Sequence, residues 1–579
     1  MNGAEYIAEF LYQRGVQKTY LMTGGACAFI VDAIGRHPKL DYVCLQHEQA
    51  AAMAADASWR LNRIPGVTIS TSGPGATNLL TGIACSYFDS IPSIHITGQV
   101  NKTESAAFLD AKVRQAGFQE TDIVAMALPV TKYAVQVESA SQLKVELVKA
   151  YNIAISGRMG PVLLDVPMNV QKEEAGDVVD YTPPESVSLE ATAGKALASR
   201  IFAFLAKSER PLVLFGAGVG LAQCEEHVVR WLKDQGLPFV STWNGMTYFS
   251  HNVSGYCGHI GVYGNRGANY ILQNCDALLV LGSRLDNRQR SGNAGSFAPS
   301  AKVLVLDIDG EELKKYRPQQ YDTAQLDFAA LPQVLDQVTL PKVPEAWMRY
   351  IAGIKTQHFG KNQSSFAEAN NCLSPYAVTK AVNDIIHEDA IVIADCGANL
   401  CWVYQIFHRV RHTLFTAGGF SPMGYSVPAG IAAALVEPHR QLVCFIGDGG
   451  MQVNLQELQT ITHYKLTMTV FIFNNYGYGI IKQFQDSYLE GRHEASGRGV
   501  SSPDFAKVAA AFGLDYARVT RLEEITPSLL AESGTKIVDV ILHPGTLIEP
   551  KLEMGRPIHD QFPYVDRGAY AASNPFIRE

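Results

Sequence analysis

LVCFIGDGGMQVN, residues 442–454, decides the fold. Its apolar run, Leu442 to Ile446, stops abruptly on Gly447-Asp448-Gly449-Gly450. Leu455, Leu458 and Ile461 then recur at helical spacing, which predicts a helix over 451–464. A second apolar run, MTVFIF (468–473), ends at Asn474-Asn475. Strand, helix and strand make one βαβ unit with a right-handed crossover and parallel strands. If the two strands are neighbours, ~5 Å apart, Asp448 and Asn475 leave the sheet side by side. They do so at the carboxyl edge, where open α/β sheets bind ligands. A carboxylate and an amide oxygen at one point suit a hard cation such as Mg²⁺. The glycines let a bulky anion approach the backbone, and the free N–H groups of the next helix favour phosphate.

The same alternation runs through the rest of the chain. Strands are expected at KTYLM (18–22), DYVCL (41–45), GVTIS (66–70), SIHIT (93–97), PLVLF (211–215), ALLVLG (277–282), KVLVLDI (302–308) and AIVIAD (390–395), with helices between, as at 48–61. Continuous apolar strands alternating with helices mean parallel sheets covered on both faces. The expected fold class is therefore α/β, with three doubly wound parallel-sheet domains. Acidic KEEAGDVVDYTPPESV (172–187) and VTLPKVPE (338–345) read as linkers. The expected bounds are 1–175, 190–340 and 365–545, followed by a C-terminal arm over 546–579 that lies across the body.

Bulk properties narrow the function. The 579 residues carry a net charge of −8 with no basic run, which disfavours nucleic acid as a partner. Ten cysteines are scattered through apolar stretches without a CxxC pair, as expected of buried thiols in a reducing cytoplasm. The N-terminus lacks a basic and an apolar segment of signal-peptide type, so none is expected. Two long uncharged stretches, 66–88 and 416–436, are studded with Gly, Pro, Ser and Thr and read as buried loops and short helices rather than membrane spans.

The spacing GDG…NN, together with LQHEQAAAMAA, TSGPGATNLLTGIA, GFQETDIV, SGRMGPVLLDVP, LGSRLDNR, VLDID and GDGGMQVNLQELQT, resembles the thiamine diphosphate (ThDP) enzymes of the acetohydroxyacid (acetolactate) synthase branch, over most of the chain. The resemblance implies a pyrimidine-binding, a central and a diphosphate-binding domain. It implies that Glu48 bonds the aminopyrimidine ring and handles the proton of the reactive carbon. Gly25, Phe118 and Gln119 would line the reaction pocket. ThDP would be held by Gly75, Asn78, Gly397, Asn399, Met423, Gly447, Asp448, Gly449, Gly450, Asn475 and Tyr478, with Met423 bending it. Asp448, Asn475 and the Gly477 carbonyl would ligate Mg²⁺. FAD is implied as a further, mainly structural cofactor, on Arg158, Gly216, Gly218, Gly264, Arg284, Asp286, Arg288, Asp307 and Asp327. Sites shared between subunits of a homodimer or homotetramer are also implied.

Three departures bear on the acceptor. Phe484 stands where the biosynthetic synthases carry Trp, Met168 where they carry Lys, and the tail RPIHDQFPYVDR resembles those of relatives linked to surface polysaccharides. The reading that follows is a carboligase that decarboxylates pyruvate and passes a two-carbon unit to a nucleotide-linked keto-deoxysugar. The alternatives are an acetolactate synthase proper, an FAD-dependent pyruvate oxidase, and a non-catalytic subunit.

Overall fold

A computed structural model describes residues 1–110, 112–178, 189–360 and 365–577. The second half of the expected first linker, 179–188, lies outside them.

Three six-stranded sheets, parallel throughout, follow one another along the chain. The first holds β1 (Lys18–Leu21), β2 (Asp41–Cys44), β3 (Gly66–Ser70), β4 (Ser93–Gln99), β5 (Tyr133–Gln136) and β6 (Val162–Pro167), in the order β2-β1-β3-β4-β6-β5. The second holds β7 (Pro211–Phe215), β8 (Phe239–Ser241), β9 (Tyr256–His259), β10 (Ala277–Leu281), β11 (Lys302–Asp307) and β12 (Tyr321–Gln325), in the order β12-β11-β10-β7-β8-β9. The third holds β13 (Ile391–Ala394), β14 (Thr413–Phe415), β15 (Leu442–Gly447), β16 (Met468–Asn474), β17 (Asp515–Val519) and β18 (Thr535–Ile541), in the order β14-β13-β15-β16-β18-β17. The first and third sheets share one topology. The middle sheet has the doubly wound order typical of mononucleotide folds.

Central strands read as apolar runs because both of their faces are covered. Every residue of β3, β4, β7, β10 and β16 is buried. Each large side chain so buried contributes about 1.5–3 kcal/mol before chain entropy is charged against it. The uncharged stretch 66–88 is explained by close packing. A Cβ on Gly66 would lie 2.1 Å from the Ala55 carbonyl oxygen, and one on Gly82 would lie 2.4 Å from Ala52 Cβ. Among the described residues no helix is long and apolar enough to cross a membrane.

β15 and β16 are neighbours, with Gly447 opposite Phe473. Asp448 and Asn475 therefore leave one sheet edge together. The helix expected over 451–464 is in fact two, Asp448–Val453 and Glu457–His463. The break falls at Asn454, whose side-chain amide donates to the Gly424 carbonyl at 2.7 Å.

A buried ionic cluster joins the three domains. Arg60 donates to Asp56 at 2.7 Å and to Asp89 at 2.7 Å. Asp56 also accepts from Tyr425 Oη at 2.5 Å, and Asp89 from Asn244 Nδ2 at 3.1 Å and Gly419 N at 2.8 Å. The segment after His543 makes contacts with the central and third domains. Arg266 donates to the Gln561 and Pro563 carbonyls at 2.9 and 2.7 Å, and Gln405 to the Pro550 carbonyl at 2.7 Å.

Candidate active site

Two clusters of polar groups sit at carboxyl edges of the first and third sheets. In the first, Glu48 opens the helix Glu48–Asn62 directly after β2. Its carboxylate is buried, and Oε2 accepts from Asn78 Nδ2 at 2.9 Å. A Cβ on Gly75 would come within 3.2 Å of Glu48 Oε1 and 2.7 Å of Thr71 Cγ2, so glycine keeps the space beside the carboxylate open. Gly25 opens a 3-10 turn (Gly25–Cys27) with no atom near its Cα face, and the next residue, Ala26, donates its N–H to Thr71 Oγ1 at 3.2 Å. Gln119 holds a left-handed backbone at φ 61° and packs on Gly73. Phe118 beside it is 84% exposed.

In the second cluster, Asp448 is buried and accepts from Gly477 N at 2.9 Å and from Ser502 Oγ. Burial raises its pKa, partly offset by those two donors. No ion pair within 4.0 Å reaches it among the described residues, although Lys482 is close enough to act on it through charge. Asn475 is buried beside it, with Nδ2 lacking a partner. Gly477 has φ 145°, a conformation side chains rarely adopt. Tyr478 covers Gly449, where a Cβ would lie 2.3 Å from its ring, and the Met423 methyl stands over the same glycine. Asn399 Nδ2 lies beside Gly447 and Gly397 and donates to the Cys396 carbonyl at 2.6 Å; its Oδ1 is buried without a partner. One carboxylate, one amide and one carbonyl are all oxygen donors. That set fits Mg²⁺, which binds through one or two carboxylates and completes its shell with water and phosphate oxygens. No cluster of three His, Cys, Asp or Glu suited to other metals occurs among the described residues.

Several supporting residues were not singled out from the sequence. Asp395, at the end of β13, accepts from Gly424 N at 2.9 Å and Ser426 N at 2.8 Å, which fixes the turn carrying Met423. Burial pushes its pKa up to about 6. Glu457 accepts from Gln46 N at 3.1 and 3.2 Å, two residues before Glu48, and burial pushes it up to about 7. Asp395 ends the apolar run AIVIA and Glu457 lies in the polar-rich stretch NLQELQT; only the fold shows what each holds.

Residues 1–126, 198–328 and 395–540 match, in turn, the descriptions "Thiamine pyrophosphate enzyme, N-terminal TPP binding domain", "central domain" and "C-terminal TPP binding domain". The chain is 32% identical over 530 residues to the acetolactate synthase isozyme 2 large subunit of Escherichia coli, covering 91% of this chain and 93% of that one. It belongs to the ThDP-dependent, acetolactate-synthase-like enzymes. The acetolactate synthase large subunit of Parasynechococcus marenigrum is 33% identical over 576 residues, covering 96% and 90% of the two chains. A probable acetolactate synthase large subunit of Methanocaldococcus jannaschii is 31% identical over 562 residues, covering 94% and 92%. As a member of this ThDP family, the protein is an enzyme with carboligase and decarboxylase activity of the acetolactate-synthase type, and the three α/β domains are the family's.

The FAD expectation is corrected. All three family descriptions name thiamine pyrophosphate and none a flavin, and the relatives are acetolactate synthases. The residues singled out for FAD are engaged within the protein. Arg158 pairs with Asp309 at 2.7 Å and Glu312 at 3.3 Å. Asp286 and Asp327 cap their own helices, and Asp307 accepts from Asp309 N. Arg288 donates to Tyr263 Oη at 3.1 Å, and Arg284 lies 3.9 Å from Asp286. Gly216 and Gly218 are forced by the backbone of Gly282, and Gly264 by that of Ile260. FAD and redox use of it are accordingly dropped from the account.

Phe484 lines a cavity of about 970 Å³ where the three domains meet, together with Ser90 and Arg158 of the first, Arg284 of the central and Gly397, Ser421 and Ile480 of the third. Met168, which opens the helix Met168–Lys172 after β6, does not line it.

Proposed function

We propose that the enzyme decarboxylates pyruvate and transfers the two-carbon unit to a second 2-keto acid, forming an acetolactate. The observation that carries this is the buried Asp448 at the shared edge of β15 and β16, with Asn475 and Gly477 beside it and no cation of its own within ion-pair reach among the described residues. Asp448, Asn475 and the Gly477 carbonyl would hold Mg²⁺, and Gly397, Asn399, Gly447, Gly449, Gly450 and Tyr478 would surround the diphosphate. ThDP, when bound, supplies the carbon nucleophile and the electron sink for loss of CO₂. Glu48 keeps Oε1 for the cofactor ring while Asn78 fixes Oε2, so one carboxylate oxygen holds and moves the proton. Met423, whose methyl stands over Gly449, would prop the cofactor. Gly25, Phe118 and Gln119 wall the reacting carbon from water.

The assembly proposed is a homodimer or homotetramer in which the Glu48 cluster of one subunit faces the Asp448 cluster of the next. Among the described residues no side-chain hydrogen bond joins Glu48 to Asp448 or Asn475 within one chain, and Phe118, beside Gln119, is 84% exposed. The domain bounds proposed are 1–175, 190–340 and 365–545 with an arm over 546–579, and the compartment proposed is the cytoplasm, where ten free thiols stay reduced.

A second reading keeps a nucleotide-linked keto-deoxysugar as acceptor. It is favoured by Phe484, 40% exposed on a 970 Å³ cavity larger than a keto acid needs. Incubation with labelled pyruvate and a panel of 2-keto acids and nucleotide keto-sugars decides between them. Label is expected in acetolactate; label only in a branched sugar supports the second reading and overturns the first.

A further inference from the structure

Where the three domains meet, with the paired Arg60 and Asp89 in its wall, lies a cavity of about 170 Å³. Arg63 enters it from the first domain, Glu225 and Tyr248 from the second, and Arg409 from the third. Arg63 Nη1, Arg409 Nε and Glu225 Oε2 are all buried without a hydrogen-bond partner. Among the described residues none of these three side chains makes an ion pair within 4.0 Å. Orphaned buried polar atoms are rare and individually costly, and three of them belong to residues that line this one space.

The two arginines are held in place. Arg63 sits in the left-handed region at φ 62°, a position that favours glycine or asparagine, with its guanidinium 4.4 Å from the Trp59 ring centroid. Arg409 is pinned through its main chain, its N–H donating to His251 Nδ1 at 3.1 Å and its carbonyl accepting from His251 N at 2.8 Å. Burial pushes Arg409 down to about 10, with Glu225 the acid that opposes the shift. Burial also raises Glu225, with Arg63 and Arg409 pulling it back.

We infer that this junction is a binding site for a small hydroxyl-bearing oxyanion of the hydrogen-phosphate class. Two N–H donors call for oxyanion oxygens, which arginine takes up with charge-assisted bonds. The lone acceptor, Glu225 Oε2, calls for a donor on the same ligand, which the P–OH of hydrogen phosphate supplies. Sulfate, fully ionised at neutral pH, offers Glu225 only lone pairs. A carboxylate such as acetate lacks the O–H as well. The volume has room for one phosphate with several waters. The ligand would tie Arg63 of the first domain to Arg409 of the third across the end of the central one.

The test is calorimetric titration of the full-length protein, saturated with ThDP and Mg²⁺ so that the diphosphate site is filled, in phosphate-free buffer at constant ionic strength. Inorganic phosphate is expected to bind at one site per chain, about tenfold or more tighter than sulfate or acetate. Arg63→Gln and Arg409→Gln are each expected to weaken phosphate about tenfold or more. Glu225→Gln replaces the carboxylate with an amide that can donate. It is expected to raise sulfate affinity to that of phosphate or beyond, and it decides the matter should the arginine variants fail to fold. Absence of saturable phosphate binding overturns the inference. So does equal binding of phosphate and sulfate that Glu225→Gln leaves unchanged, which would mean a water-filled junction with weak general anion affinity.

Discussion

Glu48→Gln is expected to lower pyruvate decarboxylation by ~10²–10⁴-fold while leaving the thermal stability of the protein nearly unchanged. The amide keeps the shape of the buried side chain and a contact to Asn78, but it cannot take up and return a proton. Because Asn78 already occupies Oε2, the loss falls on the single oxygen left for the cofactor ring. The measurement is CO₂ release from carboxyl-labelled pyruvate at saturating ThDP and Mg²⁺. A loss in kcat with little change in KM identifies a group acting in the chemical step. Activity within a few-fold of wild type contradicts the role given to Glu48. The shared-site proposal adds a complementation: in dimers paired at random from Glu48→Gln and Asp448→Asn chains, about a quarter of the sites carry neither change, and activity returns in proportion.

Arg60→Met is expected to destabilise the fold by ~3–5 kcal/mol, the cost of breaking a buried ion pair by removing one partner. Asp56 and Asp89 are both buried, and Arg60 is the cation that pairs with each, at 2.7 Å. Burial already raises the Asp89 pKa, with Arg60 the cation that opposes the shift, so removing Arg60 leaves that carboxylate raised further above its unfolded value. A carboxylate with a raised folded pKa costs stability as pH rises through that value and costs nothing well below ~4. The penalty should therefore be small in acid and full at neutral pH. Urea denaturation of Arg60→Met against wild type across pH checks both the size and the sign. Recovery of most of the loss by adding Asp56→Asn and Asp89→Asn would confirm its origin. A loss under 1 kcal/mol at pH 7 would show that the cluster does not hold the domains together.

Most of the strands were legible, because central parallel strands are apolar on both faces. The neighbouring pair β15 and β16, with Asp448 and Asn475 at their common end, was legible for the same reason. Of the edge strands only β2 was expected; β5, β9, β12, β14 and β17 were not, and the inner strands β6, β8 and β18 were missed as well. β5, β14 and β17 are short or half-exposed and look like loops in sequence, so only pairing with β6, β13 and β18 defines them. The shared topology of the first and third sheets was also invisible, since no sequence repeat marks it. The helix expected over 451–464 missed its interruption because the cause, the Asn454 amide on Gly424, comes from 30 residues away.

In the site, Glu48 and Asp448 stand out as charges beside apolar runs. Their supports do not. Ser502 reaches Asp448 across 54 residues, and Glu457 reaches Gln46 across 411. The flavin expectation failed on residues whose pattern has internal uses, namely glycines crossing Gly282 and aspartates capping helices. The preference for a sugar acceptor leaned on Phe484, Met168 and the tail RPIHDQFPYVDR together. Only Phe484 lines the cavity, and the relatives favour the acetolactate alternative.

The central claim is that Asp448 and Asn475 anchor a Mg²⁺–diphosphate unit at the edge of the third sheet. Equilibrium titration of ThDP into wild type and Asp448→Asn, each with and without Mg²⁺, tests it most directly. Saturable, Mg²⁺-dependent binding in wild type, weakened at least ~10–100-fold by Asp448→Asn, is the predicted result. Binding of equal strength in both proteins, or binding indifferent to the metal, would contradict it.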